Sequence, residues 1–214
     1  MAYIIGVVSQ KGGVGKSTIS RLIAREYASA EWEVLLADMD ISQATSFSWN
    51  SRRLEAGLEP EIQVMQFSTV DKAMNKANNY DLVVFDGAPH ATRATLQIAL
   101  VSDIIILPTG NSFEDLEVQV KLAHELVDNS IDIKKLSFVR SRVGGSAREN
   151  DEVQRYLERT GYNIIDGHIP EKTGYRTALV EGKTLVETSH PSLNGRAEIV
   201  AQSIINCLEK SINK

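Results

Sequence analysis

The densest chemistry in this 214-residue sequence lies between positions 11 and 18, where Lys11-Gly12-Gly13-Val14-Gly15-Lys16-Ser17-Thr18 follows directly on an apolar run at 3–8. Glycines at 12, 13 and 15 allow backbone geometry closed to other residues and let main-chain N–H groups approach an anion. A helix pattern begins at about Ser17, so the loop opens onto a helix N-terminus whose field favours negative charge. Lys16 is placed to reach the β- and γ-phosphates of a nucleotide, Ser17 to offer its hydroxyl to Mg²⁺, and Thr18 to add a phosphate hydrogen bond. Together these residues predict a phosphate-binding loop between a strand and a helix.

Carboxylates close two further apolar runs. The second run ends in Asp38-Met39-Asp40, and residues two apart on an extended chain share a side. Both are therefore expected to face the metal site, one holding Mg²⁺ through water, with Asp40 orienting the attacking water. Asp38 also suits a helix cap at a strand end. A later run, Leu82-Val83-Val84-Phe85-Asp86-Gly87-Ala88-Pro89, closes on Asp86, expected to bind Mg²⁺ through a water. Gly87 would let 86–90 move as a γ-phosphate comes and goes. The expected metal set is Ser17, Asp38, Asp40 and Asp86. His90 has no visible partner and reads as surface.

Positioning these groups needs strands that end together. Short apolar runs at 3–8, 34–37, 62–67, 82–85, 104–107 and 136–139 read as strands, and the segments at 18–30, 113–127 and 147–160 show the three- and four-residue spacing of helices with one buried face. The strands are apolar on consecutive positions rather than every second one. That pattern predicts an α/β fold with a mainly parallel sheet covered by helices on both faces, and ligands at the carboxyl ends of its strands. No repeat or long linker divides the chain, so a single domain over 1–214 is expected.

Composition narrows the class. A hydrophobic content of 43% supports a full core. No run of about 18 apolar residues suggests a membrane span, and a strand pattern begins almost at residue 1, so a cytoplasmic protein is expected. Cys207, the single cysteine, can form no internal disulfide. The formal net charge is −5, yet between 134 and 183 ten Lys/Arg stand against seven Asp/Glu, a basic excess in the C-terminal half.

An ordinary phosphate loop has no need of a lysine five residues before the phosphate-binding one, and here Lys11 stands in that place. With it, the string resembles the deviant Walker A motif of the ParA/MinD family of SIMIBI-like P-loop NTPases. The similarity continues through Leu107-Pro108, Arg140-Ser141-Arg142 and Ile169-Pro170-Glu171-Lys172, with Tyr175, Ala178, Gly182 and Lys183, and so covers nearly the whole chain. The resemblance implies a MgATP-dependent homodimer in which Lys11 reaches the nucleotide held by the partner. By the logic of an arginine finger, this links ATP, dimerisation and hydrolysis. It assigns catalysis to Lys11, Lys16, Asp40 and Asp86, and nucleotide contacts to residues 11–18 with Arg142 and Pro170 at the base. It also places non-specific DNA contacts at Lys172, Arg176 and Lys183. In the family the switch commonly reads Asp-x-Asp-Pro-Gln; here Ile41-Ser42 precede Gln43, which leaves the role of Gln43 open.

No segment before the first strand offers a helix-turn-helix, so the resemblance is to the small ParA type, ParF-like. It implies a nucleoid-associated partition ATPase stimulated by a centromere-binding, ParB-type partner. Two alternatives stay open. A MinD-like protein would use a C-terminal amphipathic anchor, but the helical spacing over 196–210 carries few lysines on its polar face and suits a packed helix better. A small-molecule kinase or synthetase could share the fold.

Overall fold

The computed structural model describes residues 2–90 and 92–212. Strands β1 (Tyr3–Val7), β2 (Val34–Asp38), β3 (Gln63–Gln66), β4 (Leu82–Asp86), β5 (Ile104–Thr109) and β6 (Leu136–Val143) are joined by two short ones, β7 (Asn163–Ile164) and β8 (Ile169–Pro170). Helices α1 (Lys16–Ser29), α2 (Thr45–Glu55), α3 (Val70–Met74), α4 (Thr92–Val101), α5 (Phe113–Asp128), α6 (Ala147–Arg159), α7 (Thr173–Val180) and α8 (Pro191–Ile212) fill the connections. The sheet runs in the order β3-β2-β4-β1-β5-β6-β7, with β8 also on β6, and the strand pairs are parallel.

The consecutive apolar positions are explained by two cores. In β2, β4 and β5, Leu35, Val83 and Ile105 face one side, with α4, α5 and α6, while Leu36, Val84 and Ile106 face the other, with α1 and α8. Successive side chains on a strand point to opposite faces, so a strand sandwiched between helix layers is apolar throughout. The predicted mainly parallel α/β sheet with helices on both faces is therefore the architecture found. Helix α8 packs Ala197, Val200, Ala201, Ile204 and Leu208 into the second core.

Register aligns the chemistry. Asp38 pairs with Asp86 across β2 and β4, and Val7, just before the glycine loop, pairs with Asp86 across β1 and β4. Three neighbouring strands thus deliver the loop and the carboxylates to one edge, outside the carboxyl ends of the strands.

Helix α2 is fixed by an unusual anchor. Arg53 is wholly buried, and its donors are engaged: Nε to the carbonyl of Pro60, one terminal nitrogen to Glu187 and Gly182 O, the other to Glu187 and Glu59 O. The Trp49 indole donates to Lys183 O, and the guanidinium groups of Arg53 and Arg21 lie 5.7 and 5.4 Å from its ring centroid. Gly182, at φ +77°, lets the turn after α7 close on α2, because a Cβ there would lie 2.5 Å from Arg53 N.

Candidate nucleotide site

The loop between β1 and α1 is closed by its own lysine. Lys16 begins α1 and is buried, and its Nζ donates to the Lys11 carbonyl at 2.9 Å. Burial pulls its pKa down, while Asp86 and Asp40 oppose the shift. Gly15 sits at φ +98° with its Cα against Ser141 on β6; any Cβ would overlap that side chain's Oγ. Gly12, Gly13, Gly15, Lys16, Ser17 and Thr18 line a cleft of about 650 Å³, while Val14 is buried beside it. Arg142 and Pro170 line the same cleft, so the expected phosphate and base ends occupy one continuous space.

The carboxylates separate into distinct environments. Asp86 is buried; its Oδ2 accepts from the Ser46 hydroxyl at 2.7 Å, and its Oδ1 has no protein partner. Burial raises its pKa, opposed by the Ser46 and Ser17 hydroxyls and by Arg21, and supported by Asp38. Asp40 is half-buried on the cleft wall, its Oδ1 accepting from Ser42 Oγ at 2.6 Å and Gln43 N at 3.1 Å.

Asp38 is different. It is completely buried, Oδ1 accepts from Asp40 N at 3.0 Å, and Oδ2 accepts from Ser46 N and Phe47 N at 3.0 and 3.1 Å. Those two amides are orphan donors of the first turn of α2, whose own N-cap residue Ala44 has no side-chain oxygen to offer. The structure shows the helix-cap role for Asp38: Oδ2 carries the two α2 amides and Oδ1 the Asp40 amide, leaving Oδ1 further acceptor capacity. Asp86 Oδ1 and Ser17 Oγ, with Asp40 on the cleft wall, suit an ion that keeps most of its waters, as Mg²⁺ does. Ser17 Oγ lies 3.0 Å from Thr45 Oγ1, so the start of α2 also touches this point.

Lys11 does not extend freely from the loop. Its ammonium is ion-paired with Asp115 in the first turn of α5, with Glu114 at 3.9 Å. The hydrogen bond to Asp115 raises its pKa; desolvation opposes the rise, and the Asp115 and Glu114 charges support it. Arg142 stands on the opposite flank at φ +58°, donating from NH1 to the Gly13 carbonyl at 2.7 Å and from Nε to Glu171 at 2.9 Å. Arg176 shares Glu171 at 2.9 Å, Lys183 pairs with Glu181 at 2.8 Å, and Lys172 is exposed at the start of α7. Two of the three expected DNA cations therefore carry a local carboxylate partner. Arg21, Ser46 and Asp115 were not signalled by the sequence. Their roles arise from packing between segments, and Arg21 in isolation reads as one more helix-surface charge.

The glycine loop at the end of a central parallel strand, facing a buried strand-end carboxylate, defines a phosphate-loop nucleotide-binding protein. Residues 5–186 match the CobQ/CobB/MinD/ParA nucleotide binding domain, and the chain belongs to that family. It is 28% identical over 185 residues to maintenance of carboxysome distribution protein A of Gloeobacter kilaueensis, covering 86% of this chain and 84% of the relative. The protein of the same name from Halothiobacillus neapolitanus is 26% identical over 220 residues, covering 99% and 97%. Among solved structures, the Pyrococcus furiosus cell division ATPase MinD superposes with a TM-score of 0.74 at 18% identity, over 96% of this chain and 99% of that one. An ATP complex of Cyanothece McdA superposes with a TM-score of 0.72 at 15% identity, over 95% and 96%. At these identities the two structures speak to fold alone.

Proposed function

We propose that this chain is a ParA-type positioning ATPase: a MgATP-bound homodimer that holds non-specific DNA and releases it when a ParB-type or other cargo-bound partner stimulates hydrolysis. The observation that carries the reading is Lys11. It stands at the start of the phosphate loop with its ammonium turned to Asp115 and Glu114 of α5 and still part-exposed, so that a second protomer could draw it to its own phosphates. The two carboxysome-distribution relatives support cargo positioning as the task and leave open whether the cargo is a plasmid, a chromosome or another body. The whole of 1–214 is proposed to act as one ATPase unit in the cytoplasm, on the nucleoid. No helix among the described residues is long and apolar enough to cross a membrane.

In this reading Lys16 leaves the Lys11 carbonyl for the β- and γ-phosphates, the amides of residues 12–18 close on the same oxygens, and Arg142 and Pro170 flank the base. Bound Mg²⁺ would offset charge on the β- and γ-phosphates. Asp86 Oδ1 would accept from one of its waters and Ser17 Oγ would ligate it directly. Asp40 orients the water that attacks the γ-phosphorus, and the bond to the ADP oxygen breaks in line. Lys11 exchanges its α5 carboxylates for the partner's phosphates, where a fixed positive charge stabilises the transition state. DNA contact is assigned to Lys172, Arg176 and Lys183 of both protomers. Glu171 and Glu181 offset two of these charges, so the attraction to the DNA backbone depends on the pairing of both protomers.

Two substitutions separate these roles. Lys11→Ala is expected to keep MgATP affinity within about threefold, since its ammonium pairs with α5 and not with the loop, while abolishing the ATP-dependent rise in molecular mass by light scattering. Equal loss of nucleotide binding would remove Lys11 from the trans role. Asp40→Ala is expected to accumulate the ATP-bound dimer and to slow partner-stimulated turnover on the order of a hundredfold or more; undiminished phosphate release would remove it from positioning water. The overall reading is tested by binding to random-sequence duplex DNA with MgATP, MgADP or no nucleotide at two salt concentrations, with anionic vesicles in parallel. Salt-sensitive DNA binding with MgATP alone is expected, whereas vesicle binding in its place moves the reading to membrane positioning.

A further inference from the structure

The buried surroundings of Asp86 contain more than a metal ligand requires. Arg21, buried in α1, donates from Nε to Ser46 Oγ at 3.0 Å, and Ser46 Oγ donates to Asp86 Oδ2 at 2.7 Å. The Ser46 amide is held by Asp38 Oδ2 at 3.0 Å. One serine therefore joins a guanidinium and the two strand-end carboxylates, and it does so from the first turn of the helix that follows the 40–44 loop.

We propose that Arg21 and Ser46 are positioning residues that hold Asp86 with one oxygen occupied and the other free toward the phosphates. They would thereby set Mg²⁺ affinity according to where the start of α2 lies. The inference rests on the nucleotide reading above and goes beyond it.

The chemistry favours this over simple packing. A carboxylate has two equivalent oxygens and a soft terminal torsion, so an unheld Asp86 spreads over orientations that do not all present an oxygen to the cleft. The serine hydroxyl removes that freedom by occupying Oδ2. Its own orientation is set in turn, because Arg21 Nε–H can only donate, which leaves the Ser46 proton to Asp86. Arg21 supplies positive charge between two buried carboxylates without competing for Oδ1, the atom that remains without a protein partner. The third contact gives the arrangement its reach. Because Ser46 belongs to α2, a displacement of the first turn of that helix, as distinct from a change within 41–43, is transmitted to the metal carboxylate through one hydrogen bond.

The test titrates Mg²⁺ into full-length protein with a fluorescent ATP analogue and reads two quantities: the Mg²⁺ midpoint and the analogue's affinity in EDTA. In Ser46→Ala the midpoint is expected to rise on the order of tenfold, the value of one charge-assisted hydrogen bond, while the EDTA affinity stays within about twofold of wild type. Ser46→Thr, which keeps the hydroxyl, restores the midpoint. Arg21→Met shifts it in the same direction, and the double variant adds little, since both act on one carboxylate. An unchanged midpoint in Ser46→Ala overturns the proposal, as does parallel loss of EDTA and Mg²⁺ affinity, the mark of a general structural defect. Wild-type binding that ignores Mg²⁺ overturns the relay and leaves nucleotide binding standing, whereas no binding under any condition overturns both.

Discussion

Lys16→Ala is expected to weaken nucleotide binding by on the order of a hundredfold, with or without Mg²⁺, and to leave the fold intact. The ammonium is enclosed by the glycine loop, already desolvated and already held by a hydrogen bond in the place where an anion enters. A phosphate meeting it gains charge-assisted bonds of about twice the strength of neutral ones, at a helix N-terminus that adds its own field. Alanine removes all of this but costs the protein only one bond to the Lys11 carbonyl, and it relieves the burial of a charge. Thermal unfolding close to wild type, together with near-total loss of signal in nucleotide titration, is the expected pair of results. Affinity within threefold of wild type would remove Lys16 from the phosphate site.

Arg53→Met is the matching prediction for stability. The substitution takes the bidentate partner from the partly buried Glu187, which keeps Thr184 and Arg25, and strips donors from the carbonyls of Glu59, Pro60 and Gly182. Breaking one side of a buried pair costs about 3–5 kcal/mol, and with Glu187 only partly buried the loss falls at the lower end, about 3 kcal/mol, a fall in Tm of roughly 10 °C for a chain of this size. The effect should depend on pH with a definite sign. Burial pushes the Glu187 carboxyl up, but the Arg53 hydrogen bonds, the Thr184 amide and the Arg53 charge outweigh it, so its pKa lies below the ordinary 4.5. A depressed carboxylate contributes stability that is fully present above 4.5 and is lost as pH falls through the lower folded value. The gap between wild type and Arg53→Met should therefore be constant near neutrality and narrow below about pH 4.5. A gap unchanged across that window would mean that the carbonyl bonds, and not the ion pair, hold α2.

The parts of this site written in local sequence were legible, and the parts made by contact between segments were not. Residues 11–18 declare themselves because glycines and lysines at fixed offsets sit between a strand pattern and a helix pattern. Asp86 is equally plain, a carboxylate closing a run of apolar residues. The strands found closely follow the runs at 3–8, 34–37, 62–67, 82–85, 104–107 and 136–139, although β6 runs on to Val143 and so carries Ser141 and Arg142 to the loop. Strands β7 and β8, two residues each, are too short to leave a period. Asp38 illustrates the harder case. The closing of an apolar run placed it at the strand end, but the cap it supplies depended on α2 beginning at Thr45 with an Ala44 that cannot cap. Arg53 and Glu187 are 134 residues apart, and nothing near either one signals the other.

The way Asp38 spends its oxygens also bears on how the segment after β2 can vary. One oxygen grips the amide of Asp40, where the loop departs, and the other grips Ser46 and Phe47, where it returns. A loop whose two ends are pinned to the same side chain is a closed ring, and extra residues inside such a ring add little closure entropy. This accounts for an irregular stretch such as Ile41-Ser42-Gln43 beside otherwise constrained chemistry. It also makes 41–43 the place where relatives of this protein can diverge in length, and so in what they recognise, without moving the carboxylate or the helix on either side.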